Sequence, residues 1–152
     1  MIMPQNRKSL GTLMIVEDEA MVALVLQNEL QDAGYKILDL TDRQDEALRV
    51  AEAERPNLAL VNIGLTGGDD GIELSERLKA MGIPVLLISG RASRARSAKT
   101  VAIGSMPKPY HASEMVVAVA YLLSRLSGYL TLPRPDQLEV FDDEGFNMAT
   151  NS

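Results

Sequence analysis

Apolar and amphipathic stretches alternate along the chain. Leu13-Met14-Ile15-Val16, Leu58-Ala59-Leu60-Val61 and Val85-Leu86-Leu87-Ile88 are apolar throughout, the pattern of strands buried on both faces. Residues 20–33 carry Met21, Leu24, Val25 and Leu30 at helical spacing. Tyr35 to Leu40 reads as a strand, and Thr41 with Gln44 as a capping box for a helix through about Glu54. Asp70 with Glu73 opens a further helix carrying Ile72, Leu74, Leu78 and Met81. Residues 93–101 read as a short helix, Ile103 to Met106 as a short strand, and 111–126 as a strongly apolar helix.

Five strand–helix units in succession predict an α/β fold with a parallel sheet covered on both faces. Right-handed crossovers make it doubly wound, with the five-stranded order 2-1-3-4-5, as in flavodoxin-like proteins. In such sheets ligands bind beyond the carboxyl ends of strands 1 and 3. Strand 1 there ends in Glu17-Asp18-Glu19, strand 3 in Asn62 followed by Gly64, and strand 4 in Ser89-Gly90. Lys108-Pro109 follows strand 5, and Pro109 favours an extended backbone at Lys108. Carboxylates, an amide, a hydroxyl and an ammonium therefore converge on one rim. Hard oxygens without His or Cys suit Mg²⁺, and a Ser and a Lys beside it suit phosphoryl oxygens. Taken singly, Asp18 is equally a helix cap, Ser89 a turn residue and Lys108 a solvated charge.

Composition narrows the field. The 152 residues are 46% hydrophobic and 24% charged, which fits a globular chain of one domain. There is no Cys and one His, which excludes disulfides, thiol chemistry and His-rich metal sites. His111, at a helix start, reads as a surface residue, and Gly67-Gly68 lacks the spacing of a phosphate-binding loop. The longest apolar run, Met115 to Leu123, is far below the roughly 20 residues of a membrane span. The expectation is a cytoplasmic protein with no membrane partner.

In order, IVEDE (15–19), PNLALVNIGL (56–65), DGIEL (70–74), PVLLISG (84–90) and PKPY (107–110) resemble the receiver domain of two-component response regulators. The resemblance covers Leu13 to Leu126. It implies that Glu17, Asp18 and the Gly64 carbonyl ligate Mg²⁺ together with position 62, and that Ser89 and Lys108 contact a phosphoryl group. It implies a histidine kinase or phosphotransfer protein as phosphate donor and a downstream protein partner reached through helix 4, strand 5 and helix 5. Such a chain is a signalling module, not a conventional enzyme. A flavodoxin-like or phosphatase-like enzyme is disfavoured, because no Ser/Thr-rich phosphate loop follows strand 1.

The chain departs from the family at four places, one of them Thr66, which stands where many members have Pro. The phosphoacceptor position holds Asn62, which lacks the charge and the nucleophilic oxygen of Asp. Mg²⁺ binding is then expected to be weak or absent, and Asn62→Asp to lower metal-free stability and raise Mg²⁺ affinity. Ser105 stands at the family's aromatic switch position, and Gly67-Gly68 is an apparent insertion. Two readings stay open: a phosphorelay receiver whose Asp is replaced, or a phosphorylation-independent pseudo-receiver regulated by partner or tail binding.

Charge divides the chain unevenly. The net charge is −6. Residues 1–126 hold 14 basic and 16 acidic groups, and 127–152 hold one Arg against five acids. The reading is a leader (1–10), a nearly neutral receiver (11–126) and an acidic tail (127–152). Arg91, Arg94, Arg96 and Lys99 form a basic face at helix 4, an interaction surface together with Ser105. No nucleic-acid recognition motif accompanies it, so nucleic acid is not the expected partner. Both Phe residues, Phe141 and Phe146, lie in the tail. The tail is therefore expected to dock, acids near Arg94, Arg96 and Lys99 and Phe side chains in an apolar groove, on its own chain or on a homodimer partner.

Overall fold

The computed structural model describes residues 9–129 and 132–141. Its elements in chain order are β1 (Thr12–Val16), α1 (Ala20–Asp32), β2 (Lys36–Ile37), α2 (Gln44–Ala53), β3 (Leu58–Asn62), a 3₁₀ turn (Thr66–Gly68), α3 (Gly71–Ala80), β4 (Val85–Ser89), α4 (Ala92–Arg96), β5 (Gly104–Pro107), α5 (Ala112–Leu126) and β6 (Glu139–Val140). The sheet order is β2-β1-β3-β4-β5-β6. The first five strands are parallel, in the expected order. The sixth corrects the expected count of five: β6 comes from the tail and runs antiparallel to β5, pairing Gly104 with Val140 and Ser105 with Glu139.

All five residues of β3 and of β4 are buried, as their unbroken apolar runs require of central strands. The sheet separates two apolar layers. One holds α1 and α5 through Leu26, Leu30, Met115 and Leu122, and the other holds α2, α3 and α4 through Ala47, Leu74, Leu78 and Ala95. No helix among the described residues is long and apolar enough to cross a membrane.

Three local expectations need correction. The buried face of α1 is Ala23, Leu26 and Leu30, whereas Met21, Leu24 and Val25 face solvent. Thr41 does not cap α2: Arg43 stands at the N-cap without a side-chain bond, and Asp69 from the β3–α3 loop accepts from Gln44 N at 2.8 Å. Helix α4 ends at Arg96, and residues 97–101 continue as turns. The Asp70 cap is present, accepting from Ile72 N at 2.9 Å.

The described part of the tail lies against the domain, in keeping with the expectation that it docks. Leu138 is buried against the α1/α5 layer and Phe141 against the α2/α3/α4 layer. Phe146 and the acids at 142–144 lie outside the described residues.

Candidate functional site

Parallel pairing carries the ends of β1, β3, β4 and β5 to one rim. Val16 pairs with Val61, Asn62 with Ile88, and Ser89 with Pro107. The residues that follow each strand are thereby neighbours without any local sequence relation.

Asn62 is at the centre of this rim and is buried. Its Nδ2 donates to Asp18 Oδ1 at 2.9 Å, to Gly64 O at 2.7 Å and, more weakly, to Glu17 Oε2 at 3.4 Å. These three oxygens are the ones the resemblance assigns to a metal. An amide nitrogen has two protons, so three acceptors share them and the longest contact is the weakest.

The Glu17 side chain is fully buried. Its Oε2 also accepts from Glu19 N at 3.0 Å, while Oε1 has no hydrogen-bond partner. Lys108 Nζ lies 3.9 Å from Oε1, near enough for attraction and too far for a hydrogen bond. Burial pushes the Glu17 carboxyl above its ordinary value, against the Glu19 N–H and the Lys108 charge, which both favour the ionised form. Next to Lys108-Pro109, the Tyr110 hydroxyl is buried without a partner. Its burial, with the Glu17 and Glu19 charges, pushes it up to about 12.

Ser89 reaches the rim, but its hydroxyl is engaged: it donates to Arg91 O at 3.0 Å and accepts from Arg91 N at 2.9 Å. This is the turn role rather than an open hydroxyl. Helix α3 abuts the same strand end. Gly71 N donates to Ile63 O at 2.7 Å, and a Cβ on Gly71 would come within 2.2 Å of Asn62 O. A glycine is required there by close approach.

The oxygen set of Glu17, Asp18 and Gly64 is right in kind for Mg²⁺. As arranged, however, the residues do not fit it, because an N–H₂ group and a cation cannot face the same three oxygens. Among the described residues no cluster of three or more His, Cys, Asp or Glu side chains is gathered for a metal.

The four basic residues are all exposed, and two of them are engaged: Arg94 pairs with Asp70 at 3.1 Å and Arg96 with Glu139 at 3.2 Å. Ser105, expected on that surface, is buried beside β6.

Sequence reasoning missed two features. Tyr110 closes the PKPY motif, and nothing local in the sequence signals its burial. An open groove of about 600 Å³ runs between α1 and the β5–α5 loop, lined in part by Met21, Val22, Val25, Pro109 and Tyr110. Its signal was the excess of apolar residues on α1, more than one buried face can use.

Comparison with known proteins agrees with this layout. The profile of the response regulator receiver domain matches residues 13–120. The transcriptional regulatory protein PhoP of Escherichia coli K12 is 28% identical over 121 residues, 76% of this chain and 53% of PhoP. An uncharacterized transcriptional regulatory protein of Bacillus subtilis, YbdJ, is 27% identical over 139 residues, 89% of this chain and 60% of YbdJ. The chain thus spans about half to three fifths of these curated relatives. Among solved structures, the signal receiver domain of a modulated diguanylate cyclase from Desulfovibrio desulfuricans G20 superposes with a TM-score of 0.69 at 32% identity, covering 77% of this chain and 96% of that one.

Proposed function

This chain belongs to the response regulator receiver domain family of two-component signalling, and from that premise we propose that it works through protein–protein contacts without forming an aspartyl phosphate. In this reading Asn62 holds the phosphoacceptor position. The observation that carries it is the Asn62 carboxamide, whose nitrogen donates to Asp18, Gly64 and Glu17 together. The amide satisfies oxygens that otherwise need a cation, and it offers no nucleophilic carboxylate. Mg²⁺ binding is correspondingly weak or absent. The partners are a histidine kinase or phosphotransfer protein on the input side and a downstream protein on the output side.

A second reading keeps the phosphorelay and treats position 62 as the single lost part. It is favoured by Glu17, Asp18 and Lys108, which still meet at the rim although Asn62 has no use for a phosphoryl contact.

The two readings separate on incubation with acetyl phosphate and Mg²⁺ followed by intact mass. The unchanged chain is expected to gain no phosphoryl adduct, and an adduct on it overturns the proposal. An adduct on Asn62→Asp supports the second reading's intact remainder. Its absence there supports a pocket committed to phosphorylation-independent contacts.

A further inference from the structure

The β3–α3 loop carries the Gly64 carbonyl, which accepts from Asn62 Nδ2 at 2.7 Å, the shortest of the three contacts of that amide. What holds the carbonyl there lies further along the loop. Gly67 and Gly68 have φ of 72° and 82°, and a Cβ on either would meet open space. Glycine serves the left-handed turn there, and not a close approach. The turn brings Leu65 N to Asp69 O at 3.2 Å and sets Thr66 and Asp69, on its two sides, against the β2–α2 loop.

Thr66 N donates to Asp42 O at 3.2 Å, and Thr66 Oγ1 to Asp42 Oδ2 at 3.1 Å. Asp69 Oδ2 accepts from Gln44 N at 2.8 Å, and Glu73 Oε1 from Gln44 Nε2 at 3.0 Å. Gln44 is the first residue of α2, and Arg43 at the N-cap makes no side-chain bond. A donor that a helix start leaves unpaired is thus met from the β3–α3 loop. The β2–α2 loop is itself tied to the rim, since Glu17 N donates to Thr41 O at 2.9 Å. These contacts close a ring. It runs from Asn62 through Gly64 and Thr66 to Asp42 and Thr41, and returns through Glu17, whose Oε2 faces Asn62 Nδ2.

The flank toward α4 is joined more loosely. Asp70 pairs there with Arg94, but the two side chains are 43% and 49% exposed, and such a pair contributes little. The Ser89 hydroxyl is taken up in its own turn at Arg91, and Ser105 is buried beside β6.

We propose that Asp69 is a positioning residue of the Asn62 site: it latches the β3–α3 loop to α2, so that the rim and the first turn of α2 loosen and tighten together. A contact made on the first turn of α2 then acts on the Asn62 amide without touching it. The latch requires only the bond from Asn62 to Gly64, and stands whether or not the chain takes part in a phosphorelay.

The test follows exchange of the Asn62 side-chain amide protons with water, by NMR on the isotopically labelled full-length chain. Asp69→Ala removes the acceptor. Gln44→Pro removes the donor from the other side of the latch. Proline suits the first position of a helix, and Arg43 before it already has the extended backbone that proline requires, with φ −136° and ψ 154°. Asp69→Asn keeps an acceptor oxygen. Loss of a helix cap corresponds to about a fivefold change in local opening, so Asp69→Ala and Gln44→Pro are each expected to speed Asn62 exchange about fivefold. Asp69→Asn should stay within about twofold of the unchanged chain. The backbone amide of Val119, buried in α5, is the reference for the whole fold and should keep its rate. Acceleration in Asp69→Ala with Gln44→Pro silent assigns the effect to the loop alone and overturns the latch. Equal acceleration in Asp69→Asn and Asp69→Ala overturns the hydrogen bond as its carrier. An unchanged Asn62 rate in all three variants, or equal acceleration at Val119, overturns the proposal outright.

Discussion

Gly71 and Gly104 lie in close contacts of the same length scale and with opposite meaning. Gly71 faces the carbonyl of Asn62 and the backbone of Ile63, the end of a central strand. Gly104 faces backbone and side-chain atoms of the tail. Neither is needed for a left-handed backbone; both are needed for approach. What differs is what must move when a side chain is added. At Gly71 it is the strand that carries the site, while at Gly104 it is the tail strand at the edge of the sheet. The polar rim and the β5 edge differ in the same way: the rim is locked into the fold, the edge is dressed by an addition to it.

The largest effect is expected at Gly71. Gly71→Ala should cost about 3 kcal/mol or more in urea unfolding, because the obstruction is backbone that close packing cannot shift cheaply. A loss below about 1 kcal/mol would show that the end of β3 yields to a side chain at position 71 at little cost.

Asn62→Asp comes next. It replaces a donor facing three oxygens by a third carboxylate among them, and should lower metal-free stability by about 2–4 kcal/mol. Thermal melts in EDTA and in Mg²⁺ check this: the Asp form should melt lower in EDTA and recover in Mg²⁺, while the unchanged chain responds little.

On the edge side the effect should saturate. Leu138→Ala and Phe141→Ala would each cost about 2 kcal/mol or more in an integral core. Here the combined loss cannot exceed the free energy of seating the tail, so the double variant should lose less than the sum of the two single variants. Additive losses in urea unfolding would make the tail an integral part of the core.

The smallest effect concerns Tyr110. Its hydroxyl ionises at about 12 in the folded chain, above its ordinary value of 10.0. Folding therefore favours the neutral form. Stability is fully present below pH 10 and falls as pH rises from about 10 to 12, where the unfolded chain ionises and the folded chain does not. Tyr110→Phe should remove that part of the alkaline loss, about 1–2 kcal/mol at pH 12 once the partial solvent exposure of the ring is allowed for. Parallel curves for the two chains would show that the hydroxyl is solvated.

The fold was legible where burial is two-sided. Strands β1, β3 and β4 announce themselves because a central parallel strand is apolar on both faces, with polar residues only at its ends. The rim was legible by topology, since strand ends converge whatever lies between them. The buried face of α1 was not legible: Met21, Leu24 and Val25 keep a helical period while facing solvent, and period alone does not say which apolar stripe is inward. The cap of α2 was misread because Asp69, 25 residues away, takes the place a local Thr41 was expected to fill. Strand β6 has two paired residues after a Pro-rich stretch, so only its partner makes it a strand. The concentration of Phe in the tail was its one compositional sign. The orientation of the Asn62 amide was beyond reading, because it is set by three oxygens from two different loops.

The alternation of β6 has a consequence for observation. Leu138 enters the layer beneath α5 and Phe141 the layer beneath α4, so this short strand works like a stitch through the sheet rather than a patch on one side. A methyl resonance from Leu138 and a ring resonance from Phe141 would form a two-channel reporter. Loosening of one helical layer would register in one signal first, and departure of the strand would erase both together.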